Sequence, residues 1–489
     1  MIANVEDLEM ASIKQDLSPE HCMLQKNSKV TSLMEKKEIR KVRKETLVNL
    51  FVFSLSYFLV YTGFWSLSNL QSTMNAEDGI GEYSQAVIYI CSMVSSLFLP
   101  KFLIGTFGCK KIIIVGTVIC CVYIASNMYL RLEIMVPASI LYGIANGPFI
   151  SAQAYYIDEM ATRFQTTVNQ NREFVMALFF GLCMFFAQNT QIWGNVIAYY
   201  VLSNDNKDDQ NPAVSASFRT DCGIEFRSSE NIENANLEPP SEHKRFLLVG
   251  IYVCMGLMAA LLLGFCLKPL NNDLLEGRRC RTICERFLST LKRLKNPQQL
   301  LLIPLSIFVG MEGPFYTNEV TEAFIACSWG VDRVGLVTLC FGVCGAAMAL
   351  AVGPLVKQIS QRGVLILAAC ANLAMCVALF FWKPSPDFTP AYFIVAGAWG
   401  MGDSIWWSQV PALYGLMFPN DREATFSNLY FWSFLGCFMT YSYANHITIV
   451  VKLGIFIFFL VTGLIGYLTG QYILRCASTM EYAEVPKKE

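Results

Sequence analysis

The 489-residue sequence predicts an all-α membrane protein whose twelve transmembrane helices form two six-helix bundles. Three observations lead there. Hydrophobic residues make up 54% of the chain and charged residues only 15%, against about 25% charged in soluble domains. Twelve stretches reach the roughly 20 apolar residues that cross a bilayer. A polar, basic segment separates the first six from the last six. This composition excludes a soluble globule, a disordered chain and a fibre. A net charge of −1 offers no basic surface to nucleic acid.

The expected spans are 47–70, 83–104, 111–130, 134–157, 173–202, 246–267, 299–325, 334–356, 363–382, 389–416, 424–446 and 453–474. The fifth is polar in its second half, with Gln188, Asn189, Gln191 and Asn195, so it tilts or only part of it spans. No cleavable signal precedes the first span, which acts as its own insertion signal. With the N-terminus in the cytoplasm, 28 of the 37 Lys and Arg fall on the cytoplasmic side. That bias places both ends there. The expected organisation is a basic cytoplasmic tail (1–46) and a first bundle (47–267) with an outer loop at 203–245. A cytoplasmic linker (268–298), a second bundle (299–474) and a short cytoplasmic tail (475–489) follow. The outer loop holds no N-glycosylation sequon, and neither does the rest of the chain.

An internal repeat supports the six-plus-six division. Span four contains "YGIANGPFIS" and span ten "WGMGDSIWWS". A shift of 257 residues sets Gly143 on Gly400, Asn146 on Asp403 and Ser151 on Ser408. Each half also has a short basic turn after its second span, followed by an aliphatic helix. Parallel six-span halves are the layout of major-facilitator transporters.

Five blocks, in order, resemble the uncoordinated-93 family, a branch of the major facilitator superfamily. They are Asn69 to Thr73 with Gly79 to Gly81; Gly143, Pro148, Ser151, Ala152 and Gln153; "IPLSIFVGMEGPF" in span seven; Glu319 and Cys327 beyond it; and "WGMGDSIWWSQVPALYGLMF" in span ten. In the last block Trp399, Gly400, Asp403, Ser404, Trp406, Gln409 and Ala412 to Gly415 fit the family pattern. The resemblance covers nearly all of 47–475 and favours the A-type branch. The long polar C-terminal tail of the branch that escorts endosomal nucleic-acid-sensing receptors is absent. What the resemblance implies is a transporter-like fold and a partner role, including regulation of a potassium channel.

Ionisable groups inside a bilayer are costly and informative. The first half has none deep in a span. The second has Glu312 in span seven and Asp403 in span ten, and no Lys or Arg lies within a span to pair with them. At 3.6-residue spacing Glu312, Tyr316, Glu319 and Glu322 share one stripe, and Trp399, Asp403, Trp406 and Tyr414 another. A carboxylate between aromatic faces can hold a cation. The candidate cation, proton or substrate site is therefore Glu312, Asp403, Tyr316, Trp399 and Trp406, with Asn146 and Gln153 from the first half. The alternative is a protonated acid packed at a Gly-rich helix contact.

The turn after span two keeps Gly105, Gly108, Lys110 and Lys111 but lacks the acid that working major-facilitator transporters resemble one another in placing there. That weakens active transport. "KKEIRKVRK" at 36–44 reads either as a positive-inside signal or as a patch for anionic lipid. Membrane lipid is thus an expected partner, and nucleic acid is not. Most of the 18 cysteines sit in apolar runs as small hydrophobes. Cys266, Cys280, Cys284 and Cys476 lie near the cytoplasmic face, where palmitoylation and free thiols both fit. Cys222 and Cys327 are exposed on the outer, oxidising side and are the candidate disulfide. His21, His243 and His446 are far apart, and no metal, cofactor, phosphate-loop or nucleophile motif is present. The expected function is a non-enzymatic regulator of another membrane protein, a potassium channel foremost, in the plasma membrane. A proton- or cation-coupled transporter of an unknown solute is the alternative.

Overall fold

Apolar runs in a bilayer have no water to satisfy their backbone, so each forms a helix that carries its own hydrogen bonds. The computed structural model describes residues 19–74, 80–129, 131–202, 222–226, 242–269, 297–419, 422–443 and 447–483. Most of the expected outer loop 203–245 and of the linker 268–298, with Cys280 and Cys284, lies outside them. So do both ends of the chain, 1–18 and 484–489.

The helices are α1 (Pro19–Met74), α2 (Ile80–Phe107), α3 (Cys109–Ser126), α4 (Leu132–Gln165), α5 (Arg172–Leu202) and α6 (Glu242–Cys266). Then come α7 (Pro297–Pro314), continued as a π-helix (Phe315–Ala326) and a short turn (Cys327–Trp329), α8 (Val331–Phe381), α9 (Pro390–Met417), α10 (Arg422–Tyr443) and α11 (Ile449–Ala483). Among the described residues, nine helical stretches are long and apolar enough to cross a membrane, and the chain is an integral membrane protein. The long α8 counts once there, although it bends sharply at Ser360, whose φ of 64° lies in the left-handed region. Helices α9 and α10 fall outside the nine because they are the inward-facing ones. Asp403, Ser404, Ser408 and Gln409 of α9, and Thr425, Asn428 and Ser433 of α10, are buried.

Small residues set the helix spacing. A Cβ on Gly143 would strike Ile88 and Cys91 of α2, and one on Gly400 would strike Phe341 of α8. The glycines that the repeat aligns thus serve one purpose, holding α4 close to α2 and α9 close to α8. Two seams join α1–α6 to the helices from α7 onward. Helix α5 lies along α8, where Gly181 meets the Ala349 carbonyl and Gly345 meets Gln188. Helix α2 lies along α10, where Tyr89 stacks on Tyr441 at 5.3 Å.

The packing yields a prediction. A Cβ on Gly310 would overlap the Ser433 backbone, whereas Gly250 has nothing within 4 Å. Gly310→Ala should destabilise by about 1–3 kcal/mol, read as a lower thermal midpoint in detergent. Gly250→Ala should leave the midpoint unchanged.

Candidate functional site

The two seams bring one polar cluster to the middle of the bundle. Asp403 of α9 accepts a hydrogen bond from Gln188 Nε2 of α5 at 2.6 Å. Glu312 of α7 is fully buried and faces Asp403 and Asn372, with neither carboxyl oxygen in hydrogen-bond geometry. Asn372, from the second half of α8, accepts Trp406 Nε1 at 3.0 Å. Trp399 Nε1 donates to the Glu312 backbone carbonyl at 3.3 Å. Of the polar residues in the second half of α5, Gln188 meets Asp403, Gln191 accepts from Asn69 of α1 at 2.8 Å, and Asn189 and Asn195 donate to carbonyls of their own helix.

The aromatic residues around the acids are engaged with one another. Trp399 stacks on Phe315 at 5.7 Å, Trp406 sits edge-on to Phe308 at 5.1 Å, and Phe456 touches Phe308, Phe315 and Trp399. Tyr316 stacks on Phe341 at 4.6 Å. These rings pack as core around the acids. Asn146 and Gln153 do not join this cluster. Asn146 donates to Ser92 of α2 at 3.0 Å, and Gln153 lines a small cavity with Tyr57, Val60 and Thr117.

The single acidic stripe expected on span seven is redirected. From Phe315 the chain is π-helical, and its i→i+5 turns rotate each later residue off the 3.6-residue register. Glu319 turns instead to Lys452 of α11, 2.5 Å away, and both side chains are 3% exposed. Lys452 lies just before the expected twelfth span, but α11 already begins at Ile449, so a buried cation was missed. Glu322 is exposed. Among the described residues, no ion pair links Lys or Arg to Glu312 or Asp403, and no three His, Cys, Asp or Glu side chains converge to hold a metal.

Two further ties join the same groups of helices. At the end bearing the basic stretch of α1, Arg422, the first residue of α10, pairs with Asp158 and with Glu159 of α4, both at 2.9 Å. Asp158 is fully buried although it lies one residue past the expected span four. Arg172 of α5 donates to the Gly415 carbonyl at 3.4 Å. At the opposite end, Cys222 and Cys327 are joined by a disulfide with Cα atoms 5.7 Å apart. Gly223 donates its N–H to the Ala323 carbonyl at 2.8 Å. A side chain there would face both a φ of 89° and the Pro384 ring, so glycine is needed.

The model of the family described as "Ion channel regulatory protein UNC-93" matches residues 71–468. The chain belongs to the UNC-93 family. It is 31% identical to protein unc-93 homolog A of Xenopus laevis over 434 residues, 87% of this chain and 93% of that one. It is 28% identical over 478 residues to unc-93 of Caenorhabditis elegans, whose name provisionally makes it a potassium channel regulatory protein; 95% of this chain and 67% of that one are covered. Among solved structures, the outward conformation of the major-facilitator transporter FucP superposes with a TM-score of 0.59 at 13% identity, over 87% of this chain and 99% of that one. The proton:xylose symporter XylE gives 0.56 at 12% identity, over 88% and 95%. These structures share the major-facilitator fold with this chain.

Removing one partner of a buried ion pair strands the other. Lys452→Met should therefore destabilise the protein by about 3–5 kcal/mol. The pair Glu319→Leu with Lys452→Met should recover most of that, as measured by thermal midpoints of the two variants.

Proposed function

We propose that this UNC-93 family member is a non-enzymatic regulatory subunit of another membrane protein, with a potassium channel as the partner. It crosses the plasma membrane twelve times as two six-helix bundles, 47–267 and 299–474, with both termini in the cytoplasm. The crossing count follows if α8 spans twice through its bend at Ser360 and if the inward-facing α9 and α10 also span. The observation that carries the function is the set of ties between the two groups of helices. A disulfide at one end, Gln188–Asp403 in the middle and Arg422 with Asp158 and Glu159 at the other restrain relative rocking. Alternating access needs that rocking, whereas a partner protein needs a stable surface. The family's description and the name of the Caenorhabditis elegans relative support the choice of channel.

A second reading has its own observation. Two carboxyls, Glu312 and Asp403, are buried together with no ion-pair partner among the described residues. Charge neutrality there calls for a proton or a bound cation, as in a coupled transporter.

The test is co-expression with a panel of potassium channels, scored by retention on the tagged chain and by current. One channel should be retained and its current altered, and Asp403→Asn should preserve the effect in protein that remains folded. If no channel responds, and Asp403→Asn abolishes a cation-coupled uptake that the wild-type chain supports, the transporter reading replaces the regulator.

A further inference from the structure

Helix α1 continues without a break from the membrane into the basic stretch 36–44. At about 100° per residue, Lys36, Lys37, Arg40, Lys41, Arg43 and Lys44 fall within an arc of roughly 160°. Glu38 and Glu45 lie outside it. The next turns of the same face are Leu47, Val48 and Phe51, all exposed, while Thr46, Asn49, Leu50 and Phe53 on the other side are buried. The basic arc therefore stands directly above a stripe that faces acyl chains. Arg43 is held inward by the Thr167 carbonyl at 2.9 Å and the Phe164 ring. All six basic residues are exposed.

Two neighbouring helices repeat the arrangement. Helix α6 packs beside both α1 and α3. Its exposed stripe of Leu257, Met258, Leu261 and Phe265 ends one turn before Lys268, whose side chain is 59% exposed. On α3, exposed Val115, Val118 and Val122 lie below exposed Lys111. The three ends are stitched together. Lys268 pairs with Glu45 at 3.0 Å, its N–H donates to Asn49, and Lys110 donates to the Gly264 carbonyl at 2.9 Å. Among the described residues, Glu45 at this rim is paired with Lys268.

From this juxtaposition we infer that the rim of α1, α6 and α3 is a binding site for anionic glycerophospholipid. The headgroup phosphate lies against Lys37, Lys41, Lys44, Lys111 and Lys268, and the acyl chains lie along the exposed stripes below. A positive-inside signal alone requires cations near the span ends. It does not require three helices to place them above their lipid-facing sides and bind those ends to one another. The lipid is a membrane component because the apolar half of the site is continuous with the charged half.

The experiment is lipid binding to the purified full chain in detergent, using phosphatidylserine, phosphatidylinositol bisphosphate and phosphatidylcholine as probes, read by native mass spectrometry and by retention through delipidation. Both anionic lipids should be retained at least about tenfold better than phosphatidylcholine, with loss of roughly fivefold per charge removed. Lys37→Gln with Lys41→Gln and Lys44→Gln should abolish the preference at unchanged thermal midpoint, and Lys111→Gln alone should weaken it. Lys383→Gln, an exposed cation at the opposite end, should not change it. Equal retention of all three lipids, or an anionic preference that survives the triple substitution, would overturn the assignment. Displacement of bound lipid by soluble inositol trisphosphate at equal concentration would replace it with a soluble phosphate ligand.

Discussion

A polar group buried in this bundle has no water to fall back on. Ser92, Thr117 and Ser433 bond a carbonyl one turn back on their own helix, whereas Gln188 and Asp403 are partnered across helices. The hydrogen bond from Gln188 to Asp403 is where that constraint bears hardest. Asp403 lies on α9, within the second group of helices, and Gln188 lies on α5, within the first. Separating the two groups at mid-depth would leave an amide and a carboxyl exposed to an apolar seam. Gly345 of α8 leaves room for Gln188 of α5 and for the Gly400 carbonyl of α9, one turn from Asp403, so the two bonded helices meet over it. The rings of Trp399, Trp406, Phe315 and Phe456 pack with one another and with Phe308, and Trp399 Nε1 donates to the Glu312 backbone carbonyl.

The ties at either end reinforce the middle one by different physics. The disulfide is covalent and indifferent to dielectric. The Arg422 pairs are partly buried and so weakly screened by salt. Because the three lie at different depths, no single rocking axis spares all of them. On the proposed reading, a fold shared with FucP and XylE is braced against the rocking of alternating access, and one architecture serves a different purpose. The π-helical segment belongs to the same logic. It turns Glu319 away from the central acids and towards Lys452, so each buried carboxyl on α7 meets a different neighbour.

Much of this was legible in the sequence. Apolar runs, the family blocks and the two central acids are one-dimensional signals, and membrane helices follow from them directly. The repeat was weak by residue identity, yet Gly143 and Gly400 make equivalent close contacts, because backbone approach tolerates only glycine. What escaped was registry. Lys452 looked like a loop residue because hydropathy falls off one residue before the apolar run, although the helix starts earlier. The stripe on span seven assumed 3.6 residues per turn, and nothing in "FYTNEVTEAFIA" announces a π-helix. Gln188 stood out as polar, but only packing assigns it to Asp403. Asn146 aligned with Asp403 in the repeat and Gln153 matched a family position, yet Asn146 bonds Ser92 of α2 and Gln153 lines the first-half cavity.

The proposed function requires that the two groups of helices be held in one arrangement. Its most direct test is a distance distribution between spin labels on unnatural amino acids at positions 83 and 388, exposed at the disulfide end on α2 and before α9, in lipid nanodiscs. One narrow distribution is expected in oxidised protein across pH and candidate cations. Two populations several ångströms apart, exchanging with pH or cation while the disulfide is intact, would contradict it.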